Sequence, residues 1–195
     1  MDLEACMRSV FCWRSDIGCA QGEESDRRST WNQNQTMGLS EYIVYNAIAT
    51  WELEAYDVRS SMTNGFAPNF DIFSDNFDFD KAKIVLDECQ RLRKYYVENF
   101  YSLSEADIKE DHWAMYQFGT KDSGVMLIFR REQAEEVEQR IAFHGLDTER
   151  NYLLRITDED YQVIEKMVSG KQLTEGSIFS INNARGSLTA EYIGQ

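Results

Sequence analysis

WAMYQFGTKDSGVMLIFRR, residues 113–131, decides how the chain divides. Its two runs, 113–118 and 125–130, are rich in residues that favour strands, and the turn-type residues Lys121, Asp122, Ser123 and Gly124 separate them. Toward the C-terminus QRIAFHG (139–145), YLLRI (152–156), SIFSI (177–181) and SLTAEYI (187–193) continue the series. Ser169-Gly170 and Glu175-Gly176 lie between the later runs. Six or seven short strands at such spacing predict an antiparallel β-sandwich over residues 104–195. TDEDYQVIEKMVSG (157–170) fits either a strand or a short helix.

Toward the N-terminus the pattern changes to strands alternating with helices. GLSEYIVY (38–45) is apolar over most of its length, as a buried parallel strand would be, and YDVRSSM (56–62) is a shorter candidate of the same kind. NFDFDKAKIVLDECQRLRKYYVENF (76–100) is the clearest helix: Asp78 and Asp80 stand at its start and Arg91, Arg93 and Lys94 near its end, each where it suits the helix dipole. Phe79, Ala82, Leu86, Cys89, Leu92 and Tyr96 recur at three- and four-residue steps and predict one apolar face. QGEESDRRSTWNQNQ (21–35) is the most polar stretch and reads as an exposed loop.

Composition narrows the function. Hydrophobic residues make up 43% of the 195, enough to pack a core. A net charge of −14 repels phosphate backbones and anionic lipid, which argues against nucleic acid and membrane surfaces as partners. No apolar run approaches the roughly 20 residues of a membrane span, and MDLEACMRS does not read as a signal peptide, so a cytoplasmic location is expected. Cys6, Cys12, Cys19 and Cys89 contain no CxxC pair, and His112 and His144 lie far from them, so neither a metal site nor a cofactor is expected. The cysteines read as fillers of a reduced core. No Gly-rich phosphate loop or Ser/His/Asp set is evident.

The order of several motifs resembles the C-terminal portion of glycoside hydrolase family 36, the melibiase-type alpha-galactosidases. The residues that carry the resemblance are Arg8-Ser9, Trp13-Arg14-Ser15-Asp16, Thr36-Met37-Gly38-Leu39-Ser40 and Val58-Arg59-Ser60-Ser61-Met62. It continues through FDFDKAKIVLDECQRLRKYYVENFYSL, WAMYQFGTKDSGVMLIFRR, HGLDTERNYLLRI and the terminal GSLTAEY. The resemblance implies an α/β plus all-β chain: the C-terminal part of a (β/α)8 TIM barrel over residues 1–103, then the sandwich. The chain departs from the family at NAIATWELEA, where relatives carry a Gly-rich loop.

The resemblance also implies chemistry. Retaining hydrolysis needs a nucleophilic carboxylate and a carboxylic acid roughly 5–5.5 Å apart. Asp16 occupies the acid/base position, and the nucleophile belongs to a Lys-x-Asp strand upstream of residue 1. Trp13 is suited to lower the polarity around Asp16, whereas Arg14 favours its charged form and contacts either a sugar hydroxyl, a neighbouring carboxylate or a structural ion-pair partner. Barrel sites lie at the C-terminal ends of strands. On the strands read above, Asn46, Thr63 and Asn64 stand at such ends, with Trp31 and Trp51 as further sugar-stacking candidates.

About three strand and helix units cannot close a barrel of about 250 residues. The chain is therefore expected to be a partial hydrolase for terminal α-linked galactose, inactive alone, with an α-galactoside or related oligosaccharide as ligand and a homo-oligomer or a complementing N-terminal fragment as partner. The alternative is a non-catalytic carbohydrate-binding or oligomerisation module.

Overall fold

The computed structural model of the chain describes residues 12–14 and 27–195. They fall into two compact units, Met1–Val97 and Glu98–Gln195.

In the first unit strands and helices alternate three times. The order is β1 (Cys12–Trp13), α1 (Arg28–Leu39), β2 (Asn46–Ala47) with β3 (Ala49–Thr50), α2 (Ala55–Ser61), β4 (Ala67–Pro68) and α3 (Phe79–Leu92), which continues into a 3-10 turn, Arg93–Tyr95. Both strand pairings are parallel: Cys12 and Trp13 lie opposite Asn46 and Ala47, and Ala49 and Thr50 opposite Ala67 and Pro68. Parallel neighbours need a long crossover connection, which α1 and α2 provide. Each strand is two residues long, and the described residues form no closed barrel.

Three readings of the sequence are corrected here. GLSEYIVY is not a strand: its first two residues end α1, and Tyr42 and Ile43 turn back to donate to the Leu39 carbonyl at 2.9 and 2.8 Å. Tyr42 is 81% exposed, and the strand starts only at Asn46, where residues 46–50 are all buried. YDVRSSM lies in α2 and its C-cap; the Ser60 and Ser61 hydroxyls donate to the Tyr56 and Asp57 carbonyls one turn back, at 2.6 and 3.1 Å. Finally, residues 28–35 of the expected loop belong to α1, and Ser29, Thr30, Asn32 and Gln33 are buried.

That polar helix buries because its side chains find polar partners on α2. Asn32 Nδ2 donates to Ser61 Oγ at 3.0 Å, Gln33 Nε2 to Ser60 Oγ at 2.9 Å, and Ser29 Oγ to Asp57. A buried amide or hydroxyl is tolerated only when it is hydrogen-bonded in this way.

Helix α3 forms as expected and starts with the Asp78 carboxylate accepting from the Lys81 N–H at 2.9 Å. Its buried face differs from the expected one. Ala82, Val85, Glu88, Cys89 and Leu92 are inside, whereas Phe79 and Leu86 are exposed. Glu88 is accommodated by a two-pronged ion pair with Arg59 of α2: Nε to Oε2 at 2.9 Å and Nη2 to Oε1 at 3.1 Å, both side chains buried.

The second unit is antiparallel. Its elements are β5 (Asn99–Ser102), β6 (Trp113–Gly119), β7 (Ser123–Arg130), β8 (Glu138–Ile141), β9 (Asn151–Thr157), β10 (Val163–Ser169), α4 (Gly170–Glu175), β11 (Ser177–Ser180) and β12 (Gly186–Gly194). Six strands make one sheet in the order β10-β9-β12-β7-β6-β5, and β11 pairs with β8 in a second. Met126, Ile128, Tyr152, Leu154, Ala190 and Tyr192 of the large sheet share one core with Ile141 and Phe179 of the small one and with Leu173 of α4. These two antiparallel layers fit the sandwich reading.

The β6–β7 turn falls close to the place read from the sequence, with Gly119 paired to Gly124. Gly119 has φ +151°, and a Cβ there would lie 2.4 Å from the Tyr192 hydroxyl. The segment left open at 157–170 is a hairpin arm: Asp158 Oδ1 accepts from the Asp160 and Gln162 N–H groups at 3.0 and 2.8 Å, and β10 runs back along β9. Strand β5 was not foreseen; it pairs with β6, so the sheet begins ahead of residue 104.

Candidate functional site

Because the strands of the first unit run parallel, they have a common C-terminal end. Arg14 follows β1, Trp51 and Glu52 follow β3, and Asn69 follows β4. The backbone ladder fixes these ends: Arg14 N–H donates to the Ala47 carbonyl and Asn69 N–H to the Thr50 carbonyl, both at 2.9 Å. Open sheets and barrels of parallel strands place their chemistry at this end.

Trp13 is 48% exposed. Arg14 is buried, and its Nη1 donates to the Asn32 carbonyl at 3.2 Å and to Thr36 Oγ1 at 2.9 Å, which ties the end of β1 to α1. Asp16, the expected acid/base, lies two residues further on and outside the described residues.

After β3 the chain builds a charged and aromatic group around Trp51, one of the stacking candidates, whose charged members sequence reading did not single out. Arg28, at the start of α1, pairs with Glu52, and its guanidinium carbon stands 5.0 Å from the centre of the Trp51 ring. The other Glu52 oxygen accepts from the Trp51 N–H at 3.2 Å and from Thr50 Oγ1 at 3.3 Å. Trp51, Glu52, Glu54, Asp71, Phe77 and Lys81 line a cavity of about 410 Å³. Lys81 Nζ lies 3.1 Å from Glu54 Oε1. Burial raises the Glu54 pKa, but the Lys81 hydrogen bond and charge outweigh it and hold the carboxyl below its ordinary value. The signal that would have located this group is the short run NAIAT, 46–50, followed directly by Trp51-Glu52.

Asn46 and Thr63 occupy the opposite end. With the strand starting at Asn46 and Thr63 standing between α2 and β4, they and Asn64 precede the strands instead of following them, which corrects their expected placement. They knit loops together: Thr63 Oγ1 donates to the Asn46 carbonyl at 2.6 Å, Asn46 N–H to Asn64 Oδ1 at 3.2 Å, and Asn46 Nδ2 to the Ile43 carbonyl at 2.8 Å. Thr63 also lines a second cavity of about 350 Å³ with Met62, Asn64, Cys89, Arg93 and Tyr96. Burial, then the adjacent Glu88 charge, pushes the Cys89 thiol well above its ordinary value, which favours the protonated thiol at neutral pH.

Among the described residues no three His, Cys, Asp or Glu side chains converge as a metal site would require. No helix among them is long and apolar enough to cross a membrane.

No protein-family model matches the sequence, and no curated protein does either. The fold is similar to that of the GH36 alpha-galactosidase AgaA from Geobacillus stearothermophilus, with a TM-score of 0.54 and 17% identity over 71% of this chain and 19% of that one. It is also similar to the galactosidase domain of the alpha-galactosidase-sucrose kinase AgaSK, with a TM-score of 0.63 and 12% identity over 85% of this chain and 25% of that one. The chain thus spans a quarter or less of these neighbours, and at such identities the likeness is one of fold.

Proposed function

We propose that the chain is a glycoside-hydrolase-related module that carries the proton-donating side of a retaining galactosidase site. Asp16 acts as acid/base toward a terminal α-linked galactose, and the nucleophilic carboxylate comes from outside these 195 residues. One observation carries this reading: Cys12-Trp13, which Arg14-Ser15-Asp16 follow in the sequence, is a strand that runs parallel to its neighbour, in a unit where strand and helix alternate three times. The likeness of fold to two galactosidase structures supports it.

The chain's own groups have definite work on this reading. Arg14 is tied to α1 and holds the end of β1, two residues ahead of Asp16 in the sequence. Trp13 is half exposed; on this reading it offers a ring face to the sugar and lowers the polarity around the acid, which favours its protonated form. Protonation of the leaving oxygen by Asp16 then needs an attacking carboxylate across the sugar to complete the step.

The test is a calorimetric titration of the purified chain with galactose beside a hydrolysis assay on 4-nitrophenyl α-galactoside. The expected result is galactose binding without turnover. Turnover that Asp16→Asn abolishes would show both carboxylates within the chain and overturn the division of labour. Absence of galactose binding would overturn the sugar reading itself.

A further inference from the structure

We infer that strand β10 is the contact edge of a homodimer: a second copy of the chain lies antiparallel along it, and the two large sheets join into one. The inference rests on the backbone of the second unit and stands apart from the galactosidase reading.

β10 is an outer strand of the six-stranded sheet, with β9 on one side and no strand on the other. Its seven residues pair with β9 in one unbroken register, and 163–167 are all exposed. That register decides which backbone groups face outward. Gly170 N–H donates to the Arg150 carbonyl at 2.7 Å and Asp158 N–H to the Gln162 carbonyl at 3.1 Å, so the even-numbered residues of β10 exchange their bonds with β9. The N–H and carbonyl groups of Val163, Glu165 and Met167 therefore point away from the sheet. Proline and bulges usually blunt such an edge, and β10 has neither; Glu165 and Lys166 are its only charges. The other outer strand, β5, is four residues long.

A second copy fits because the strand matches itself. Antiparallel pairing about a twofold axis at Glu165 sets Val163 of each copy against Met167 of the other and Glu165 against its own counterpart, so the outward groups of all three residues find partners. On one face Val163 and Met167, 43% and 57% exposed, cover each other twice. On the opposite face the stem of Lys166 lies along the exposed Ile164 of the other copy. The facing Glu165 side chains oppose the contact, yet Arg155 of β9 pairs with Glu165 in the register, its Nε 3.8 Å from Oε1. Each copy thus brings a guanidinium beside its carboxylate, and the row across the axis carries no net charge. The contact is small and each chain has a net charge of −14, so the dimer is weak and reversible and tightens as salt screens the repulsion.

Sedimentation velocity of the full chain over a concentration series tests the dimer. The wild type is expected to pass reversibly from monomer to dimer, with the midpoint moving to lower concentration as salt is added. Glu165→Pro deletes an outward N–H and spares the ladder to β9, so it is expected to weaken association at least about tenfold while far-UV circular dichroism stays unchanged. Val163→Lys, at an exposed site that carries no fold constraint of this kind, is expected to do the same. Glu165→Gln removes the like-charged pair and is expected to tighten association about threefold, which tests the register. A wild type that stays monomeric at about 1 mM overturns the dimer and leaves the edge to an extended segment of another protein. A dimer that Glu165→Pro and Val163→Lys leave intact, or that Glu165→Gln fails to tighten, overturns this contact as well.

Discussion

Glu88→Gln removes the carboxylate that faces Arg59 inside the first unit while keeping the shape of the side chain. Both partners are buried, with Arg59 0% and Glu88 3% exposed, so water does little to screen their interaction. Two donors of the guanidinium meet the two carboxylate oxygens at 2.9 and 3.1 Å, and Arg91 stands 3.8 Å from the same carboxylate. Taking one partner from a buried pair costs about 3–5 kcal/mol, because the remaining charge is desolvated without its counter-charge. Domains hold only about 5–15 kcal/mol in total. In a unit of roughly 100 residues such a loss lowers Tm by at least about 12 °C. Urea unfolding followed by Trp fluorescence measures it, with Trp31 and Trp51 as reporters in this unit. Replacing both partners, Arg59→Met with Glu88→Leu, removes the uncompensated charge and is expected to recover most of the loss. A Glu88→Gln variant that loses less than about 1 kcal/mol would refute the argument that this pair is desolvated and mutually dependent.

The second unit offers two further tests. Gly170 begins α4 with its N–H on the Arg150 carbonyl at 2.7 Å, and a Cβ there would fall 1.9 Å from the Asp147 carbonyl oxygen, so Gly170→Ala is expected to cost about 1–3 kcal/mol in thermal unfolding. Gly38→Ala, in the last turn of α1 with open space around the added methyl, is the control and is expected to stabilise by about 0.5–1 kcal/mol. Burial raises the Asp107 pKa, but the Lys109 N–H, the Arg131 guanidinium and His112 outweigh it and hold the carboxyl below its ordinary value. A carboxyl lowered on folding contributes stability above its unfolded value of about 3.9, and that contribution disappears as pH falls through the folded value. Acid titration of Tm is therefore expected to fall more steeply below about pH 4 in wild type than in Asp107→Asn; equal slopes would contradict it.

The second unit was largely legible because its signals are local. β6 and β7 are runs of strand formers with a turn between them, and each run needs only its neighbour in sequence to pair. Helix α3 was legible from Asp78 at its start and the basic residues at its end, although its inner face was not. Phe79 and Leu86 fit the apolar period yet lie outside, while Glu88 lies inside because Arg59, 29 residues away, neutralises it. The first unit was harder for the same reason. α1 carries a polar inner face that no hydrophobic period reveals, and its partners Asp57, Ser60 and Ser61 come from α2. The strand-like text 38–45 stands just ahead of the actual strands, Asn46–Ala47 and Ala49–Thr50, which are only two residues long each. That shift of a few residues moved Asn46 and Thr63 from one end of the strands to the other and left Trp51 without its charged partners Arg28 and Glu52.

The seam between α1 and α2, closed by amides and hydroxyls, has a thermal signature of its own. Hydrating apolar surface raises heat capacity and hydrating polar surface lowers it, so opening this seam adds little to the curvature of stability with temperature. The buried aromatic and aliphatic side chains of both units supply that curvature. As the temperature drops toward freezing, apolar burial loses strength while this hydrogen-bonded seam keeps its own, so the seam is the part of the first unit least sensitive to cold.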